Sequence, residues 1–183
     1  MHLVEVGEQV VLVESGPAIG GSMHLLDHTF PSDSCGLCLM LPEQPSYCPT
    51  LECERRAGLR LLAYSELVKL EGEGGAYRAV VRRKARYVDD KCDGCGKCGE
   101  VCPEARPHDH EGWLSPVKAI YRPAGLRAVP AVWVVDMAYC TRCGKCVEVC
   151  PRGAVDLNME AREEEVEVGA VLLTPGYKAF DAR

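Results

Sequence analysis

The apolar and polar positions along the chain fall into short, strand-like stretches. Gln9-Val10-Val11-Leu12-Val13-Glu14 is a compact apolar run that ends in an acid, as a buried parallel strand reads. Leu61 to Leu70 and Ala76 to Val88 read as strands on either side of Gly72-Glu73-Gly74-Gly75. In the second of these, Tyr77, Ala79 and Val81 alternate with Arg78, Val80 and Arg82, predicting one inward and one outward face. Towards the end, Glu165-Val166-Glu167-Val168 alternates and Gly169 leads into Ala170-Val171-Leu172-Leu173. That pattern predicts a strand running from a half-exposed edge into a buried sheet. Between the flanks lies a segment with neither period, rich in cysteine. The arrangement predicts an α/β domain interrupted by an insertion.

The chain has 183 residues, of which 12 are Cys, and 47% are hydrophobic, enough for a real core. The cysteines form three groups, and the second and third are an internal repeat. Cys-Asp-Gly-Cys-Gly-Lys-Cys-Gly-Glu-Val-Cys-Pro begins at Cys92, and Cys-Thr-Arg-Cys-Gly-Lys-Cys-Val-Glu-Val-Cys-Pro begins at Cys140. Each reads C-x2-C-x2-C-x3-C-P. A tight loop can point every third side chain inward, so three thiolates wrap one corner of an iron–sulfur cubane. The fourth leaves on a helix, too far round to close the same cluster, and in two-cluster ferredoxins it ligates the other one. Cys92, Cys95, Cys98 and Cys150 are therefore assigned to one [4Fe–4S] cluster, and Cys140, Cys143, Cys146 and Cys102 to its partner. Gly94, Gly96 and Gly144 allow close backbone approach, and Pro103 and Pro151 redirect the chain after the last ligand. Val101, Val147, Val149 and Val155 are expected to screen the clusters from water. Structural zinc prefers two separated C-x2-C pairs, which sets it behind iron–sulfur for these runs.

The first group, Cys35-x2-Cys38-x9-Cys48-x4-Cys53, sits among Pro31, Pro42, Pro45 and Pro49. Such a loop can wrap a third cluster, hold zinc, or carry redox thiols, and the residues leave these three open. A net charge of −6 argues against nucleic-acid binding, which runs on clustered cations. The one basic cluster, Arg82-Arg83-Lys84 with Arg86, reads as a solvated strand face. Met1 to Glu5 carries neither a basic start nor an apolar h-region, and no apolar run approaches bilayer length. The expectation is reduced thiolates in a cytoplasmic protein. His2, His24, His28, His108 and His110 are scattered, and the last two read as surface residues.

Glu14 at a strand's C-terminal end is placed to accept from the ribose hydroxyls of a dinucleotide, and Gly20-Gly21 lets the backbone approach a cofactor. The glycine fingerprint that should precede Glu14 is absent, so the chain is expected to begin inside the first crossover helix. Glu14 through Phe30, Ser34-Cys35-Gly36-Leu37-Cys38, Arg82 through Asp89, both cysteine runs, Lys118-Ala119-Ile120-Tyr121 and Val168 through Leu172 together resemble the A-type subunit of heterodisulfide reductase. In that family a thioredoxin-reductase-like FAD domain is interrupted by a two-cluster ferredoxin.

The likeness covers nearly the whole chain, which would then be an internal slice of a larger protein. The resemblance implies that Glu14 binds the FAD ribose, that Gly20 and Gly21 line the cofactor, and that Gly176 belongs to the loop after the last strand. There the usual Ala-Thr-Gly reads Thr174-Pro175-Gly176, and Pro175 lacks a backbone donor. FAD is expected in a full-length protein and weakly or not at all in this chain.

The expected fold is thus mixed α+β and α/β: part of an FAD-binding Rossmann-like domain with an inserted two-[4Fe–4S] ferredoxin. Its segments are 1–33 (FAD domain), 34–58 (cysteine-rich loop), 59–87 (strands of the FAD domain), 88–160 (ferredoxin) and 161–183 (return strand). The implied function is an oxidoreductase subunit carrying electrons between flavin and partner subunits, supplied by a hydrogenase or dehydrogenase. The alternative is a stand-alone two-cluster carrier without flavin. No nucleophilic catalytic arrangement stands out.

Overall fold

The computed structural model describes residues 2–21, 57–109, 111–123 and 129–176. One helical turn, α1 (His2–Glu5), precedes β1 (Val10–Glu14). β1 runs parallel to β2 (Leu59–Ala63), with Val10 opposite Leu59 and Glu14 opposite Ala63. The apolar run before Glu14 therefore does form a strand in a parallel pair. Leu12, Leu59 and Leu61 pack with the buried Ile19 and Val129.

The stretch expected as one strand from Leu61 to Leu70 is two strands in two sheets. β2 ends at Ala63, and β3 (Ser65–Glu73) begins after Tyr64, whose φ of 56° turns the chain out of the parallel pair. Backbone bonds fix that corner: Tyr64 N–H donates to the Gly16 carbonyl at 2.8 Å, and Lys84 N–H to the Tyr64 carbonyl at 2.9 Å. Periodicity misses such a break because apolar residues continue on both sides of it. β3 and β4 (Ala76–Arg83) form a hairpin closed at Gly74-Gly75, both at positive φ. β4 stops at Arg83, short of the expected Val88. Its inward set includes the buried Ala79 and Val81.

β4 also pairs antiparallel with β9 (Arg162–Val168), giving sheet order β3-β4-β9. Arg82 lies opposite Glu163 and pairs with it at 2.9 Å, and Arg60 reaches Glu164 at 2.7 Å. Glu66 lies within ion-pair reach of both Arg82 and Lys84. The basic cluster is thus matched by acids on both neighbouring strands, each exposed pair contributing at most about 1 kcal/mol. Arg86 departs from the expected solvated face. It is buried, and its guanidinium donates to the Pro17 carbonyl. Burial also lowers its pKa.

The expected continuation of the last strand into a buried sheet does not occur. β9 ends at Val168, opposite Tyr77, one residue inside the start of β4. Beyond that point β4 has turned into the hairpin, so Ala170–Leu173 meets no strand there. Leu172 and Leu173 are 75% and 76% exposed.

Between β4 and β9 lies the repeat. α2 (Lys97–Val101) and α3 (Lys145–Val149) lie against each other. Two antiparallel pairs accompany them: β5 (Ala105–His108) with β6 (Gly112–Lys118), and β7 (Ile120–Tyr121) with β8 (Val134–Val135). Their core joins Val88, Ile120, Val132, Val135, Ala154 and Val155 to the buried Cys98 and Cys146. A bridge between Val88 and Val155 ties the module's entry to its exit. Val135 N–H donates to the Arg86 carbonyl and Ile19 N–H to the Val129 carbonyl, so the module is bonded to the flank.

Candidate iron–sulfur centres

Each cysteine run folds as a loop that feeds one short helix. Gly96 and Gly144 occupy the N-cap positions at φ 86° and 80°, the left-handed region where glycine carries no Cβ penalty. Two residues earlier the repeats differ in sequence but not in backbone: Gly94 has φ 74° and Arg142 has φ 55°. The shared conformation has a use. Gly94 N–H donates to Cys92 Sγ, and Arg142 N–H to Cys140 Sγ, both at 3.4 Å. Such bonds stabilise negative charge on a ligand sulfur. Ala154 N–H donates to Cys150 Sγ at 3.3 Å, while the Cys102 thiol faces the Glu104 carbonyl at 3.6 Å.

The two runs cross over. One hollow, about 310 Å³ including open solvent, is lined by Cys92, Cys95 and Cys98 together with Cys150 from the other run. A second, about 320 Å³, is lined by Cys140, Cys143 and Cys146 together with Cys102. The exchange follows from the chain's course. Cys102 and Cys150 are the C-caps of α2 and α3, with extended backbone, and each helix carries its last cysteine towards the other repeat. Four thiols lining one hollow make a donor set suited to a cluster. Among the described residues no three potential ligands converge on a single-ion position.

Burial pushes the Cys98 thiol up to about 12, with the neighbouring Cys92 adding to the effect, and burial likewise raises Cys146. A bare thiolate is therefore disfavoured at both positions. Cys98 and Cys146 would become thiolates on binding positive iron, so loading the hollows would release protons.

The walls correct part of the sequence reading. Val155 lines the first hollow as expected, but Val147 faces out, 40% exposed. Apolar cover comes instead from Val88 and Trp133 at the first hollow and from Ile120, Val135 and Leu157 at the second. Trp133 was not singled out from the sequence, and Gly99 was its signal. A Cβ on Gly99 would stand 2.6 Å from the indole ring, so the repeat carries glycine where its copy carries Val147. Arg152 and Glu104 also line the hollows, one each, two residues after the last cysteine of their runs. Superposing the two runs would have exposed that charge inversion.

Among the other expected site residues, Glu14 ends β1, where its Oε1 accepts from Gly16 N–H at 2.6 Å and from the Ser15 hydroxyl at 3.3 Å. Gly20 and Gly21 follow in the loop at φ 108° and 50°, and Gly176 has φ 70° and is exposed. Cys35, Cys38, Cys48 and Cys53 lie outside the described residues, as do His24, His28 and His110. Among the described residues no helix is long and apolar enough to cross a membrane.

Residues 91–154 match the 4Fe–4S dicluster domain family, and all eight thiols of the two hollows fall within that stretch. This part of the chain is a ferredoxin-like domain for two [4Fe–4S] clusters. The likeness extends well beyond it. The chain is 38% identical over 182 residues to the second A-type iron–sulfur subunit of CoB–CoM heterodisulfide reductase in Methanopyrus kandleri, covering 99% of this chain and 27% of that protein. It is 37% identical over 183 residues to the A-type iron–sulfur subunit of the Methanocaldococcus jannaschii enzyme, covering 100% of this chain and 27% of that one. Against the A-type subunit of the ferredoxin:CoB-CoM heterodisulfide reductase of Methanosarcina mazei the figures are 36% over 184 residues, 100% and 22%. Along its whole length the chain is similar to the A-type subunits of the heterodisulfide reductases, and it spans about a quarter of the length of these relatives.

Proposed function

We propose that this chain is the electron-relay segment of an oxidoreductase subunit in a heterodisulfide-reductase-type complex. The carrying observation is the pair of hollows, each lined by three cysteines of one run and the fourth of the other. In this reading Cys92, Cys95, Cys98 and Cys150 hold one cluster, and Cys140, Cys143, Cys146 and Cys102 the second. The clusters supply one-electron storage. The chain's own part is to provide thiolates, to aim the N–H groups of Gly94, Arg142 and Ala154 at ligand sulfurs, and to wall both sites with apolar side chains. Electron flow then links a flavin site to partner subunits fed by a hydrogenase or dehydrogenase.

The flavin half of the proposal rests on the flank. A parallel pair, β1 and β2, presents Glu14 at its C-terminal edge, beside the Gly20-Gly21 loop. That is the position from which a carboxylate meets a dinucleotide ribose. Similarity that covers the flanks as well as the ferredoxin favours this reading over a stand-alone carrier. Segments 1–33 and 59–87 then belong to the FAD domain, 88–160 to the ferredoxin insertion, 34–58 to a cysteine-rich loop and 161–183 to the return strand, in a cytoplasmic protein. Cys35, Cys38, Cys48 and Cys53 would take a third cluster.

Anaerobic reconstitution with iron and sulfide tests the reading: about eight irons per chain are expected for two clusters, or about twelve with a third. Four irons or fewer with stoichiometric zinc would overturn it. In the full-length protein, Glu14→Gln is expected to lower bound FAD and to leave the iron count unchanged; unchanged FAD would remove Glu14 from the flavin site.

A further inference from the structure

The loop after Glu14 carries the glycines assigned to a flavin, and long-range bonds hold it from three sides. Tyr64 N–H donates to the Gly16 carbonyl at 2.8 Å, and Ile19 N–H donates to the Val129 carbonyl at 2.9 Å. The Arg86 guanidinium donates to the Pro17 carbonyl between them. Ala18 and Ile19 are buried, and Ile19 packs on Val129. Tyr64 belongs to the flank, whereas the other two holds lead into the ferredoxin module.

Each of those two ends at a wall of the cysteine hollows. The Arg86 carbonyl accepts from Val135 N–H at 3.1 Å, and Val135 walls the second hollow. Two residues beyond Arg86, Val88 walls the first and is bridged to Val155 there. Val129 opens a short stretch in which Val132, Val134 and Val135 are buried. Trp133 of that stretch walls the first hollow, and its Ala131 carbonyl lies against Gly94. Arg86 itself is only 8% exposed. A buried guanidinium is costly without an acceptor, so its bond to the loop resists opening.

We propose that cluster loading and FAD binding are coupled along this path, with Arg86 as the residue that positions the Gly16–Gly21 loop. Filling the hollows fixes their walls, Trp133 and Val135 among them. The 129–135 stretch and the Arg86 backbone then lose freedom, and the loop is ordered before any dinucleotide reaches it. Order already present is not lost again on binding, so affinity rises. Linkage requires the reverse as well: an occupied loop makes the iron harder to remove.

The coupling rests on the flavin reading of Glu14 and Gly20-Gly21, and one set of titrations separates the two. FAD affinity and iron content are measured on the full-length protein. At full iron content, Arg86→Met should weaken FAD binding about tenfold, through the lost bond to the loop. Arg86→Lys, which keeps a charged donor, should recover most of that. Cys98→Ala alters the first hollow, which no loop residue lines, yet it should also weaken FAD binding. Its effect should be smaller in the Arg86→Met background, where the path is already cut. In the wild type, added FAD should slow hydrogen exchange at Val135 N–H as well as at Ile19 N–H. If Arg86→Met does not fold, the exchange at Val135 decides alone. FAD affinity indifferent to Arg86→Met or to Cys98→Ala, a Lys variant no better than Met, equal Cys98→Ala losses in both backgrounds, or unchanged Val135 exchange would each overturn the coupling. A wild-type full-length protein that binds no FAD would instead overturn the flavin reading.

Discussion

The two halves of the ferredoxin module are near copies in their ligands and differ in what surrounds them. Both use a left-handed glycine to start a five-residue helix, a matched N–H to sulfur bond, and a final cysteine handed to the other half. Around that shared frame the first half has Gly99 beneath Trp133, while the second has Val147 in solvent. Ligand geometry tolerates no variation because four thiols must meet one cluster. The walls and rims need only exclude water and set the field, and there the copies have diverged.

The largest effect is expected from breaking the crossover. Cys102→Ala should remove about four irons from the second hollow, leaving a paramagnetic signal like that of Cys140→Ala. A spectrum matching Cys92→Ala would mean that each run closes its own cluster. Next is the exchange of Gly99 and Val147. Gly99→Val drives a side chain into the Trp133 ring and should cost roughly 1–3 kcal/mol or more of stability, read as a fall in Tm. Val147→Gly, at an exposed helical position, should cost no more than about 1 kcal/mol. Equal losses would remove the packing asymmetry.

The left-handed pair gives a smaller, opposite-signed contrast. Gly94→Ala meets both a φ of 74° and a carbonyl 3.2 Å from its new Cβ, that of Ala131. A loss of about 1–2 kcal/mol is expected. Arg142→Gly relieves the corresponding strain and should gain roughly 0.5–1 kcal/mol in thermal or chemical unfolding of the loaded protein. If both variants shift stability the same way, backbone strain is not what distinguishes the positions. The smallest effect belongs to Thr141→Val, which deletes an exposed hydrogen bond to Glu104 and should move stability by no more than about 0.5 kcal/mol. A larger fall would show that the rim pair holds the second loop in place.

Residue order by itself determined the chemistry. Cysteine spacing within eleven residues is a local property, and a loop of that length brings three thiols onto one cluster in any context. The strand leading to Glu14 and the inward face of β4 were equally legible, since both depend on runs of a few residues. What the tertiary structure decided is everything that needed a neighbour. Tyr64 splits one apolar stretch between two sheets because Gly16 and Lys84 hold its backbone from either side. Arg86 is buried because the Pro17 carbonyl meets it, although its basic neighbours face acids at the surface. The apolar Leu172 and Leu173 are exposed, and continuing the register would set them opposite residues before the start of β4, where the chain has turned into the hairpin. The apolar cover of the two hollows is likewise tertiary: Val88 and Trp133 at the first and Ile120, Val135 and Leu157 at the second lie outside the cysteine runs, and only folding sets them beside the thiols.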